Sequence, residues 1–153
     1  MASAPNSRGR RGEASIRMNT QDIKKAGLKV TLPRMKILEI LERSEEHHHT
    51  AEDVYKALLE AGEEIGLATV YRVLTQFEAA GLVTRHHFEG GQAVFELNRG
   101  THHDHMVSVR SGRVVEFYDE VIEKRQQEIA ARHGFHITDH TLVLYGYFED
   151  EQD

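Results

Sequence analysis

Apolar residues in the first eighty positions recur every three or four places. In "TLPRMKILEILERS" Ile37, Leu38, Ile40 and Leu41 make a stripe of helical period, behind Thr31 as a cap and Pro33 in the first turn. Upstream, "NTQDIKKAG" offers Asn19 or Thr20 as a helix cap and Gly27 as a stop. "TAEDVYKALLEAG" opens with Thr50 three residues before Asp53, a capping-box spacing, and closes at Gly62. A fourth helix is predicted from about Leu67 to Gly81 in "LATVYRVLTQFEAAG", with Val70, Val73, Leu74 and Phe77 facing inward.

The period then changes. "LVTRHHF", "EGG" and "QAVFELN" read as two strands around a glycine turn. Helices followed by a two-stranded ribbon describe a winged helix-turn-helix, whose last helix enters the major groove. From Thr101 the pattern restarts, with strands in "HMVSV" and "RVVEF", a turn at "RSG", a helix from Asp119 to His133 stopped by Gly134, and a last strand in "TLVLYGYF". That helix sets Val121, Ile122, Ile129 and Ala130 on one side. The expected class is α+β: an N-terminal winged-helix domain followed by a small α/β domain. The boundaries are a flexible basic tail at 1–18, a DNA-binding domain at 19–98, a hinge at 99–101, an α/β domain at 102–148 and an acidic tail at 149–153. A core of some 48 residues is small to stand alone, and pairing with a second copy would repair this.

Charge is uneven along the chain. Residues 1–43 carry ten Lys/Arg against four Asp/Glu, and the remainder nine against twenty-one, within a net charge of -6. A basic part on an acidic remainder can mark a surface that meets phosphate, although "RGRRG" also reads as a plain disordered tail. No apolar run approaches the ~18 residues a bilayer crossing needs, and the N-terminus lacks the apolar core of a signal peptide, so the expected location is the cytoplasm with no membrane partner. The 153 residues include no cysteine, which excludes disulfides, thiolate zinc fingers and thiol redox chemistry, and eleven histidines.

Three of those stand with Asp104 in "HHDH", residues 102–105. Extended backbone alternates its side chains, so His102 and Asp104 share one side and His103 and His105 the other. The tetrad is two half-sites, each needing ligands from elsewhere. Candidates at element ends or on inward faces are His48, Glu96, Glu116, Glu123 and His140. All offer nitrogen or oxygen, which suits Fe(II), Mn(II), Co(II) and Zn(II). Isolated histidines such as His86, His87, His133 and His136 read as surface or hydrogen-bonded residues, and His47 and His49 as non-binding flanks of His48.

"KKAGLKVTLPR", "HTAEDVYKAL", "GLATVYRVLTQFEAAGLV" and "HHDHMVSV", in this order and spacing, resemble the ferric uptake regulator family over residues 20–148. The resemblance is closest to its iron-responsive members. It implies a homodimer, or a higher oligomer, that represses iron-uptake genes by binding A·T-rich palindromic operators on double-stranded DNA when Fe(II) is bound, with Zn(II) or Mn(II) able to substitute. It assigns His48, Glu96, His103, His105 and Glu116 to an interdomain regulatory site, and His102, Asp104, Glu123 and His140 to a site inside the dimerisation domain. The recognition helix maps onto Ala68 to Ala80. Thr69, Tyr71 and Arg72 match DNA-contacting positions there, and Lys29 a minor-groove contact. Arginine binds guanine through two hydrogen bonds, tyrosine packs on a thymine methyl, and lysine suits a narrow A·T-rich groove. Many relatives hold a structural zinc between Cys-x-x-Cys pairs, and the first pair would fall at Ser108 and Ser111. A hydroxyl cannot replace a thiolate, so no cysteine-bound zinc is expected. Two alternatives stand beside this reading. A same-family regulator tuned to zinc or manganese would use the same ligands. A metal-dependent hydrolase would need a substrate pocket and a general base for which the chain leaves little room, so no enzyme is expected.

Overall fold

The structure, a computed structural model, describes residues 18–89, 91–100 and 102–151. All but Met18 of the expected basic tail lies outside the described residues, as do Gly90 of the hairpin turn, Thr101 of the expected hinge and the last two residues of the acidic tail. The chain divides into two compact units, one ending at His87 and resuming over Gln92–Arg99, the other made of Phe88–Gly91 and the residues from Gly100 onward. No helix among the described residues is long and apolar enough to cross a membrane.

The first unit holds α1 (Thr20–Lys25), α2 (Leu32–Arg43), α3 (Ala51–Glu60), α4 (Leu67–Ala79), β1 (Val83–His86) and β2 (Val94–Leu97). Local chemistry starts three of these helices. Asn19 accepts from the Gln21 N–H while Asp22 accepts from the Asn19 N–H. Thr31 caps α2 ahead of Pro33. Thr50 and Asp53 each accept the other's backbone N–H, at 3.1 and 3.0 Å. By contrast α4 starts at Gly66 with no side-chain cap. Its far end is closed by Gly81 at φ +80°, which lets Leu82 donate back to the Phe77 carbonyl. Ile37, Leu38, Leu41, Val54, Leu58, Val70, Leu74 and Phe77 form the core, closed by Val83 and Phe95 from the ribbon. Three helices packed on one another with an antiparallel ribbon form the winged helix-turn-helix.

The ribbon register decides what faces where. Thr84 pairs with Glu96, Arg85 with Phe95 and His86 with Val94. Phe95 is fully buried. Arg85 therefore shares the core-facing side with it, and Thr84, His86 and Glu96 share the other. His49 extends this sheet by a bridge to Phe95, its N–H and carbonyl both bonded there at 3.0 and 2.7 Å. This fixes the backbone beside His48.

The second unit contains β3 (Asp104–Ser108), β4 (Val114–Phe117), α5 (Glu120–Arg132) and β5 (Val143–Gly146). The strand order is β4-β3-β5, with β3 antiparallel to β4 and parallel to β5. A parallel return requires a crossover, and α5, capped by Asp119, supplies it. Of the four apolar positions expected on one side of α5, only Ala130 is buried, while Val121 and Ile129 are exposed. Strands of four or five residues offer too little surface to cover them. Leu144, Tyr145 and Tyr147 are exposed as well.

Candidate functional site

Four side chains of the second unit converge on one point. His102 Nε2 lies 3.0 Å from Asp104 Oδ1 and 3.5 Å from Glu123 Oε1. His140 Nε2 lies 3.6 and 3.3 Å from the same two oxygens. β3 brings Asp104, the segment before it His102, the first turn of α5 Glu123, and the loop before β5 His140. Four ligands bonded at 2.0–2.1 Å in a tetrahedron stand about 3.4 Å apart, and the four nitrogen–oxygen separations here run from 3.0 to 3.6 Å. Electrostatics point the same way. Asp104 is fully buried, its Oδ2 has no hydrogen-bond partner, and no Lys or Arg pairs with it among the described residues. A buried carboxylate without a cation is costly. A divalent ion fits this set of two nitrogens and two oxygens; when bound it would supply the missing positive charge.

The first unit has a second convergence. His48 Nε2 and His86 Nε2 lie 3.3 and 2.8 Å from Glu96 Oε2. Their ligand atoms all fall within 4.8 Å of one another. His86, which by sequence reads as a lone hydrogen-bonded histidine, belongs to this group. The signal lay in the hairpin register, because a strand pairing that sets Thr84 opposite Glu96 puts His86 diagonally beside it on the same face. His49 does not join. Burial pushes its imidazole below the ordinary value, and its Nε2 lies 2.8 Å from the Glu46 carbonyl. In the second unit His105 is buried and stands opposite Glu116 across β3 and β4, and His103 Nε2 lies 3.9 Å from Glu116 Oε2. His87, His133 and His136 are exposed.

Where relatives of the resembled family place a thiolate pair, Ser108 and Ser111 hold a carboxylate. Ser108 Oγ donates to Glu151 Oε2 at 2.5 Å, and Ser111 Oγ donates to Glu151 Oε1. Ser108 Oγ also accepts the N–H groups of Arg110 and Ser111, each at 3.1 Å, and the Phe148 N–H donates to Glu151 Oε2. Arg110 stacks on Tyr147 and Arg113 on Phe148. The end of the chain is thus fastened to the β3–β4 turn by hydroxyl–carboxylate bonds. Sequence reading missed Glu151, since nothing local links it to residues some forty positions away.

On α4, Tyr71 and Arg72 are exposed and Thr69 is half-buried. The Arg72 side chain makes no hydrogen bond or ion pair among the described residues, which leaves its five donors available. Lys29 is exposed between α1 and α2, its carbonyl accepting from Arg34 at 2.7 Å.

The model of the ferric uptake regulator family matches residues 25–145. The ferric uptake regulation protein of Legionella pneumophila is 67% identical over 127 residues, 83% of this chain and 93% of that protein. The Vibrio cholerae ferric uptake regulator superposes with a TM-score of 0.78 at 61% identity, over 84% of this chain and 98% of that one. For the Pseudomonas aeruginosa ferric uptake regulator with manganese the values are 0.76 and 61%, over 87% and 99%.

Two outcomes are expected. Zn(II) added to the chelator-treated protein should raise its melting temperature, since a ligand at 100 times its dissociation constant stabilises by about 2.7 kcal/mol; the rise should shrink in Asp104→Ala with Glu123→Ala. The Ser108 hydroxyl first, then Ser111, hold the Glu151 carboxyl below the usual carboxylate range of about 4.5. A lowered folded value means that the clamp's stabilisation is present above that range and is lost as pH falls through the folded value. Urea midpoints from pH 7 down to 3 should show wild type above Glu151→Gln at neutral pH, with the gap closing in acid.

Proposed function

The chain belongs to the ferric uptake regulator family, and from that premise we propose that it is a metal-dependent repressor of iron-uptake genes, with Fe(II) as its physiological co-repressor. The observation that carries the proposal is the pair of nitrogen–oxygen ligand clusters, one in each unit of a chain whose winged helix leaves Tyr71 and Arg72 open on α4.

In this reading His48 and Glu96 of the first unit, with His103, His105 and Glu116 of the second, form the regulatory site, and His86 joins them. A bound divalent ion supplies the charge that lets these imidazoles and carboxylates share one site. His102, Asp104, Glu123 and His140 form the second site, which keeps α5 fastened to β3. Val121, Ile129, Leu144, Tyr145 and Tyr147, left exposed by a small α/β unit, meet their counterparts in a second copy. In a two-fold dimer the hinge around residues 99–101 sets the separation of the two α4 helices, and one separation fits two half-sites of a palindrome. Arg72 then reads guanine, Tyr71 a thymine methyl with Thr69 alongside, and Lys29 an A·T-rich minor groove. The bound dimer covers the promoter and keeps RNA polymerase away, in the cytoplasm where both are found.

A zinc-tuned member is the second reading, favoured by one observation, the nitrogen–oxygen separations of 3.0 to 3.6 Å among His102, Asp104, Glu123 and His140, close to those between the ligands of a four-coordinate zinc. Zn(II) and Mn(II) in any case fit the same ligands as Fe(II).

A mobility-shift titration on an A·T-rich palindromic duplex under anaerobic conditions, with each metal buffered at a free concentration matching that of the cell, tests the proposal. Fe(II) should tighten binding by a factor of about 5 to 150, and His103→Ala with His105→Ala should abolish the gain. Equal binding with and without chelator would remove the co-repressor role, and a response confined to Zn(II) would favour the second reading.

A further inference from the structure

The Arg85 guanidinium reaches three residues of α4 at once. Its Nη1 donates to the Tyr71 hydroxyl at 3.3 Å and its Nη2 to Thr75 Oγ1 at 3.0 Å, while Nε lies 3.2 Å from Glu78 Oε2. Tyr71, Thr75 and Glu78 are spaced four and three residues apart and so lie along one face of the helix. The guanidinium also lies over two rings at cation–π distance, its carbon 5.0 Å from the centre of Phe95 and 5.5 Å from that of Tyr71. Phe95 meets Tyr71 edge-on at 6.5 Å. Thr75 Oγ1 donates in turn to the Tyr71 carbonyl at 2.9 Å. Only 17% of the Arg85 side chain is exposed.

A side chain this occupied is poorly placed to meet a phosphate, yet it grips the one aromatic ring that α4 presents to solvent. We propose that Arg85 is a positioning residue for sequence readout: with Phe95 it fixes the ring of Tyr71 before DNA arrives. This rests on the reading that Tyr71 packs on a thymine methyl. A tyrosine ring otherwise rotates about two bonds, and its ordering on the duplex would reduce affinity. Holding it in advance removes that cost from the binding step. Lysine at this position cannot do the same, because one ammonium has no flat fork to stack on Phe95 while bonding in two directions.

The test compares two operator duplexes, identical except that every thymine of one is replaced by deoxyuridine, which lacks only the methyl. Anisotropy titrations use the full-length protein loaded with Mn(II), at several salt concentrations. Wild type should prefer the thymine duplex by about fourfold for each methyl buried. Arg85→Met and Arg85→Lys should bind both duplexes alike, with the salt slope unchanged and far-ultraviolet circular dichroism as in wild type. A thymine preference retained in Arg85→Met overturns the proposal. So does a uniform loss on both duplexes with the salt slope reduced by about 1, the mark of a phosphate contact. If Arg85→Met fails to fold, Tyr71→Phe decides, since it deletes the hydroxyl that Arg85 holds and keeps the ring; a preference retained there also overturns it. Tyr71→Ala separates the two layers. If it keeps the preference, the base-reading role of Tyr71 falls and the proposal with it; if it loses the preference and Arg85→Met keeps it, only the role of Arg85 falls.

Discussion

Extended backbone sends successive side chains to opposite sides, and three short strands use that period to do two jobs in adjacent residues. On β1, Arg85 faces α4 and His86 faces the imidazole–carboxylate cluster. On β2, Phe95 closes the helical core and Glu96 lies within reach of both His48 and His86. On β3, Asp104 sinks among His102, His140 and Glu123, while His105 packs on the Phe88 ring and stands across from Glu116. A slip of one residue in any of these pairings would exchange ligand candidate for core. The bridge between His49 and Phe95 is therefore more than a decoration of the ribbon, because it locks the register next to His48.

Charge is what the alternation leaves unresolved. A fully buried Asp104 with no Lys or Arg partner among the described residues, and a Glu96 shared by two imidazoles, are arrangements that a divalent cation relieves. The absence of cysteine narrows the choice to metals content with nitrogen and oxygen. It also shifts a structural task elsewhere. Ser108 and Ser111 turn to Glu151, and Arg110 and Arg113 cover the chain end by stacking on Tyr147 and Phe148. Hydroxyl–carboxylate bonds respond to pH, which a thiolate–metal staple and this clamp would do in different ranges.

Much of the fold was legible because its signals are local. Asn19, Thr31, Thr50 and Asp119 each satisfy the backbone within three residues of themselves, and the apolar period of α2 to α4 names its own buried face. The division of "HHDH" followed from strand period alone, and the structure places His102 against Asp104 and His103 toward Glu116. What escaped depends on pairings distant in sequence. His86 becomes a ligand candidate only once β1 and β2 are in register, and Glu151 reaches its serines only once the end of the chain returns to the β3–β4 turn. The exposed Val121 and Ile129 show a third limit: helical period marks an apolar side without saying whether this chain or another covers it.

The central claim is that metal and operator are linked through one protein state, and linkage is reciprocal. The most direct measurement is the Mn(II) affinity of the protein by competition with a fluorescent indicator, taken without DNA, with an operator duplex and with a scrambled duplex of equal composition. The account predicts that the operator alone raises Mn(II) affinity, by the same factor by which Mn(II) raises operator affinity. A Mn(II) affinity unchanged by the operator would contradict it.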